Sequence, residues 1–237
     1  MEINNINTLK EGSVFLVDKP YTWTSFNVVG KFKVLIRKAT SDKTIKVGHA
    51  GTLDPLATGL LIVCTGKATK KVNELMAQQK EYLATIKIGE TTPSFDLETN
   101  PDKQYPTEHI TRDLIDEVAK KFIGPQNQIP PLYSAKFIDG KRAYEFARKG
   151  VEMELKPVPI EIYSMEVLSF EMPYLELKIT CSKGTYIRSI ANDFGKLLES
   201  GAHLTQLRRT ASGDFKIADA LTIEEIENIF LPLCNQP

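Results

Sequence analysis

Apolar residues fall along this chain in distinct rhythms, and the change from one to the next marks its elements. Alternation at every second position over 82–88, with Tyr82 at its start, predicts a strand, and the stretches 161–170 and 174–181 predict a pair of strands. The segment 14–17 predicts a short strand, and the purely apolar run 60–64 a buried one. Spacings of three and four predict helices. The first is capped by Thr24 or Ser25 and runs to about Lys38, with Phe26, Val29, Phe32 and Ile36 on or near one face. The next spans 67–77, with Ala68, Val72, Leu75 and Met76, and others follow at 111–122, 185–198 and 222–230. Between them, 90–107 is polar and contains proline, which predicts a loop or extended arm, and 125–133 predicts a second non-helical connector. Strands and helices mix without a regular βαβ period, so the class is α+β rather than doubly wound. No internal repeat or low-complexity segment interrupts the pattern.

Composition adds bounds. At 237 residues, 42% hydrophobic and 25% charged, the chain is long enough for one large or two small packed domains. Cys64, Cys181 and Cys234 lie far apart with no metal-ligand spacing, which predicts neither a disulfide framework nor a metal site. The N-terminus lacks the basic and apolar regions of a signal peptide, and 60–64 is far too short to cross a bilayer, so a reducing cytoplasm and no membrane are expected. Net charge is zero, but it is unevenly distributed: residues 19–87 carry +8 and the remainder −8. Lys31, Lys33, Arg37, Lys38, Lys43 and Lys46 precede one loop and Lys67, Lys70 and Lys71 follow it, a positive field suited to a polyanion or, more simply, a solvated helix face.

That loop is 48–61, reading Gly48-His49-Ala50-Gly51-Thr52-Leu53-Asp54-Pro55-Leu56-Ala57-Thr58-Gly59-Leu60-Leu61. Three glycines within twelve residues permit tight turns and close backbone approach, and Pro55 biases Asp54 towards extended backbone at the loop rim. Taken alone, Asp54 is either a turn residue bonding its own backbone or a presented nucleophile.

The loop resembles the signature of the TruB family of bacterial tRNA pseudouridine synthases. So do Asp18-Lys19-Pro20 with Thr24-Ser25, Lys80-Glu81-Tyr82 leading to Gly89 and Thr91, and the block from Ile129-Pro130-Pro131-Leu132-Tyr133-Ser134-Ala135-Lys136 to Asp139-Gly140-Lys141-Arg142-Ala143-Tyr144. Ser182-Lys183-Gly184-Thr185-Tyr186-Ile187-Arg188-Ser189 is similar to the family's arginine motif, and Gly201-Ala202-His203-Leu204 with Leu207-Arg208-Arg209-Thr210 closes a resemblance covering about residues 12–217.

The resemblance implies an α+β fold with a mixed, largely antiparallel central sheet flanked by helices, forming one catalytic domain over 1–237 with an insertion-like RNA-binding region at about 90–155. It implies an isomerase that converts a uridine of the tRNA TΨC loop to pseudouridine, a reaction that neither changes redox state nor loses a group and so needs no cofactor. Asp54 is then the nucleophile on a flipped-out uridine, acting at C6, at C1′ or in removing a sugar proton. Arg188 is the cation that keeps that carboxylate ionised, and Tyr82 the platform for the base, near C5. His49 is expected to help displace the stack. Lys19, Tyr186 and Leu207 are expected at the substrate, with Lys19 supporting the loop or reaching a phosphate, and Lys67, Lys136, Arg142 and Arg148 on the RNA backbone, as are Arg208 and Arg209. The partner is the tRNA T-arm, with no protein partner evident and a monomer expected.

The chain departs from the family pattern in two places. No glycine stands between Pro20 and Thr24-Ser25, where the run is Tyr21-Thr22-Trp23. After Thr210 the 27 remaining residues are too few for the separate C-terminal RNA-binding domain of longer members, so a short form is expected. Two other classes compete: a tRNA-folding protein on the same scaffold, which Asp54 argues against, and a retaining glycosidase, which would need Asp96 as its acid.

Overall fold

The computed structural model describes residues 7–134, 136–138, 140–147, 149, 151, 153 and 155–234. The chain divides into two compact units, Met1–Glu81 with Arg208–Pro237, and Tyr82–Leu207.

In the first unit the strand Ala57–Thr65 is central. It pairs antiparallel with Val14–Lys19, setting Asp18 opposite Leu60, and with Val47–Ala50, setting His49 opposite Val63. The end of strand Ala202–Ser212 that belongs to this unit lies along Gly59, then turns back through a hairpin to Phe215–Lys216. Alternation sends Leu61 and Val63 to one face and Ile62 and Cys64 to the other, and both faces are covered, which is why the run carries no polar side chain. On the first face Phe15, Phe32 and Phe230 meet with ring centroids 5.0 to 6.3 Å apart beneath helices Ser25–Thr40 and Ile223–Cys234. Each such buried ring contributes about 1.5–3 kcal/mol.

Thr24 caps helix Ser25–Thr40 through a capping box: its Oγ1 accepts the Asn27 N–H at 2.9 Å, and Asn27 Oδ1 accepts the Thr24 N–H at 2.8 Å. The cap, worth about 1 kcal/mol, fixes Ser25 at the first helical position. The inward face is Val28, Val29, Phe32, Leu35 and Ile36. Phe26 was expected on that face and is instead 73% exposed, because it lies about 200° around the helix from Val28. The expected helix 67–77 is split into a 3-10 turn over Gly66–Lys71 and an α-helix over Val72–Ala77. The Thr69 hydroxyl donates back to the Gly66 carbonyl at 2.7 Å, favouring the tighter turn, and Met76 is left exposed.

The second unit orders its strands Gly124–Gln128, Val158–Glu171, Tyr174–Cys181, Lys80–Ile88 and Ala202–Ser212, the last two taking part where they belong to this unit. The first three pair antiparallel. The expected connector at 125–133 thus begins as an edge strand, where Pro125, lacking an N–H, is tolerated. Strand Ala202–Ser212 had no expected counterpart. Helices Arg112–Lys121 and Ile187–Leu197 pack beside each other, and the rings of Phe122 and Phe194 stack at 5.5 Å. The arm 90–107 carries a short antiparallel ribbon, Glu90–Thr91 with Lys103–Gln104, closing a tight loop. The architecture is α+β with a mostly antiparallel sheet, and among the described residues an isolated parallel bridge joins Val17 and Leu221. Cys64 and Cys181 are buried and outside any disulfide, and burial pushes the Cys64 thiol upward in pKa.

Candidate active site

Within the first unit, Asp54 stands half-exposed on a turn closed by the Ala57 N–H donating to its carbonyl at 3.1 Å. The turn is fixed residue by residue. Ser25, buried at the start of its helix, accepts the Leu53 N–H at 2.9 Å and donates to the Leu53 carbonyl at 3.1 Å. Lys19, fully buried, donates its ammonium protons to the carbonyls of Pro20 at 3.0 Å, Trp23 at 2.5 Å and Pro55 at 3.4 Å. These two side chains tie the backbone on both sides of Asp54.

Lys19 supports the loop, its ammonium held by three carbonyls. Its pKa falls from 10.5 to about 8: burial disfavours the ammonium, the Asp54 charge partly restores it, and Arg209 opposes it. Arg208 and Arg209, both expected on the RNA backbone, stand in different surroundings. Arg208 makes a bidentate pair with Asp18 at 3.0 and 2.7 Å, and Arg209 is buried, donating to the Leu60 carbonyl at 2.7 Å and the Gly51 carbonyl at 2.9 Å. Successive strand residues point to opposite faces, which separates these two neighbours. His49 is half-buried in strand Val47–Ala50; burial and the Arg209 charge push its pKa down, leaving it neutral near pH 7.

The turn at Thr22 keeps a geometry suited to glycine. Its φ is +69°, a left-handed conformation that a β-branched residue adopts at a cost of about 1–2 kcal/mol.

Within the second unit, Tyr82 begins the alternation of strand Lys80–Ile88 and is 8% exposed. Gln128 fixes the start of helix Ile187–Leu197: its amide oxygen accepts the Tyr186 N–H at 2.8 Å and its amide nitrogen donates to the Tyr186 carbonyl at 3.1 Å. Ser189 donates to the Ile129 carbonyl at 2.8 Å, so the Pro-rich motif 129–133 and the arginine motif are one constellation. Between these anchors the buried Arg188 donates to the carbonyls of Tyr133 at 2.9 Å and Ser94 at 3.4 Å, and its Nε lies 3.6 Å from Asp96 Oδ2. The other Asp96 oxygen accepts the Glu98 N–H at 2.9 Å, while Thr92 and Ser94 donate to the Asp96 carbonyl at 2.7 and 3.2 Å. Asp96 is thus buried within its own loop beside the guanidinium, an arrangement that makes it a mount for Arg188 and leaves the glycosidase reading without its acid. Leu207 is half-buried at the end of this unit.

Of the expected backbone-binding residues, Lys67 is exposed, Lys136 is half-buried with its ammonium 3.4 Å from the Lys156 carbonyl, and Arg142 is half-buried. Arg148 lies outside the described residues. A groove of about 570 Å³ opens in the first unit beside Gly48, lined by Lys33, Lys43, Lys46, Thr69 and Asn73. Among the described residues no carboxylate pairs with its three lysines, and no three His, Cys, Asp or Glu side chains gather as metal ligands. No described helix is long and apolar enough to cross a membrane.

Two family models match the chain: the TruB family pseudouridylate synthase N-terminal domain over residues 37–187, and the tRNA pseudouridylate synthase B C-terminal domain over 188–234. A tRNA pseudouridine synthase B of Parabacteroides distasonis is 54% identical over 217 residues, 92% of each chain, and one of Flavobacterium johnsoniae is 52% identical over 92% of this chain and 95% of that one. In a solved Cbf5-Nop10-Gar1 complex, one chain superposes with a TM-score of 0.72 at 28% identity, covering 99% of this chain and 62% of that longer one.

Proposed function

We infer the reaction from the premise that this chain belongs to the TruB family of pseudouridylate synthases: it isomerises uridine to pseudouridine in tRNA. We further propose that the target is the uridine of the TΨC loop and that Asp54 is the nucleophile. The observation that carries this is the anchoring of residues 53 and 55 by Ser25 and Lys19, which presents Asp54 on a rigid turn. In the reaction the N1–C1′ bond breaks and a C5–C1′ bond forms; the C5 proton leaves and N1 becomes an N–H, so no atom is lost and no cofactor is called for.

Arg188 and Tyr82 are proposed in the roles the resemblance implies, Arg188 as the cation serving the nucleophile and Tyr82 as the platform for the extruded base and a relay for the C5 proton. Preorganisation supports the first: Arg188 is held by two carbonyls and Asp96 without RNA. A neutral His49 beside the Asp54 loop suits insertion into a base stack, where an imidazolium would carry a desolvation cost. Tyr186 and Leu207 complete the proposed substrate contacts, and Lys67, Lys136 and Arg142 the contacts to the RNA backbone in a T-arm held largely through the region 90–155. The protein is proposed to act as a cytoplasmic monomer.

Pseudouridine formation in unmodified tRNA transcripts, wild type beside Asp54→Asn with chemical mapping of the product, tests the reading. One modified position in the TΨC loop, lost in Asp54→Asn while tRNA binding survives, is the expected result. Tight tRNA binding with no pseudouridine from wild type would instead make the chain an RNA-folding protein and Asp54 a turn residue.

A further inference from the structure

Arg209 is one of the largest fully buried side chains in the molecule, and among the described residues no carboxylate neutralises it. Burying an unpaired guanidinium is unfavourable, and an apolar side chain of similar volume would fill the same space at lower cost. Stability alone therefore does not account for the charge. Its donors point to a different role. Nε is bonded to the Leu60 carbonyl and Nη2 to the Gly51 carbonyl, the two ends of the loop that carries Asp54. The backbone follows the side chain: Gly51 has φ +89°, and a Cβ there would stand 3.2 Å from Arg209 Nη1, while a Cβ at Gly59, with φ +97°, would stand 2.4 Å from the Arg209 carbonyl oxygen. Both glycines are required by the close approach of one arginine.

Resting on the synthase reading above, we propose that Arg209 is a positioning residue for the nucleophile, a guanidinium clamp that closes the Asp54 loop at both ends and sets its field. The charge reaches into the site, since both Lys19 and His49 respond to it and Lys19 responds also to Asp54.

Two variants separate clamp from charge. Arg209→Lys keeps the charge but cannot span both carbonyls, and Arg209→Met removes both. Measured as single-turnover pseudouridine formation at saturating tRNA, the rate should fall about tenfold in Arg209→Lys and about 100-fold in Arg209→Met, with the tRNA Kd within about twofold of wild type. The acidic limb of the pH–rate profile should stay in place for Arg209→Lys and move to higher pH for Arg209→Met, where Asp54 loses a cation. Wild type and Asp54→Asn are run alongside. An inactive wild type overturns the synthase reading. An active wild type with Arg209→Lys at the wild-type rate, unfolded, or impaired in Kd as much as in rate overturns the clamp alone.

Discussion

The Nε of Arg188 lies 3.6 Å from Oδ2 of Asp96, and the two side chains are 4% and 8% exposed. The guanidinium is therefore oriented by its own unit, through a carboxylate and two carbonyls, before any substrate contributes. Asp96 is in turn fixed by the Glu98 N–H and by the hydroxyls of Thr92 and Ser94, so a polar loop with no periodicity becomes the mount for a residue of the proposed active site.

Removing that carboxylate takes a buried anion away from beside the guanidinium. Asp96→Ala should destabilise the fold by about 3 kcal/mol, read as a fall in Tm of about 6–12 °C, and lower the rate of pseudouridine formation about 10- to 100-fold. Asp96→Asn keeps an acceptor for Glu98 and isolates the charge. A wild-type Tm and rate in Asp96→Asn would mean that the charge of Asp96 is not needed to hold Arg188.

Lys19 gives a pH dependence of defined sign. Folded, its pKa is about 8; unfolded, it returns to 10.5. Between these values the unfolded chain holds a proton that the folded chain has released, and stability rises with pH wherever the unfolded state binds more protons. The unfolding free energy of wild type should therefore gain on that of Lys19→Met from pH 8 to pH 10.5 and run parallel to it below pH 7. Urea denaturation of both proteins across this range is the measurement, and a constant difference would show that the buried ammonium titrates at its ordinary value.

Thr22 offers the opposite kind of test, a substitution that stabilises. Glycine there relieves left-handed strain of about 1–2 kcal/mol and gives back about 0.4–1 kcal/mol in unfolded-chain entropy. Thr22→Gly should therefore raise stability by about 0.5–1 kcal/mol, or Tm by about 1–4 °C. An unchanged or lower Tm would mean that the Thr22 side chain makes a compensating contact.

The same residues show what a sequence can convey. The Asp54 loop was legible as a family signature, since its glycines, proline and acid alone equally describe a turn, and the strands 60–64 and 82–88 were legible because burial on two faces makes a continuous apolar run and burial on one face an alternation. Asp96 was read only as an improbable acid, since its significance depends on a partner 92 positions away in the sequence. Arg208 and Arg209 are chemically identical neighbours, and only their placement on opposite faces of a strand makes one a surface ion pair and the other a buried clamp. Strand Ala202–Ser212 itself was hidden because it buries His203 and Arg209, which obscures the apolar alternation that would have marked it. Phe26 misled in the other direction, an aromatic on a helix that faces solvent.

The groove beside Gly48 carries the last expectation. Lys33, Lys43 and Lys46 line one face of the unit that carries Asp54 with no carboxylate to neutralise them among the described residues, and the proposed substrate is a polyanion. A phosphate contact by each lysine releases counterions, so each adds about 0.7–0.9 to the slope of log Kd against log salt. Replacing all three with Gln should lower the slope for tRNA by about 2–3 and weaken binding at low salt, while the single-turnover rate at saturating tRNA stays at the wild-type value. A slope unchanged within error would assign these lysines to the solvated face of their unit, and the rise in affinity at low salt would then have to come from cations elsewhere, of which Lys67, exposed on the turn Gly66–Lys71, is the first to replace.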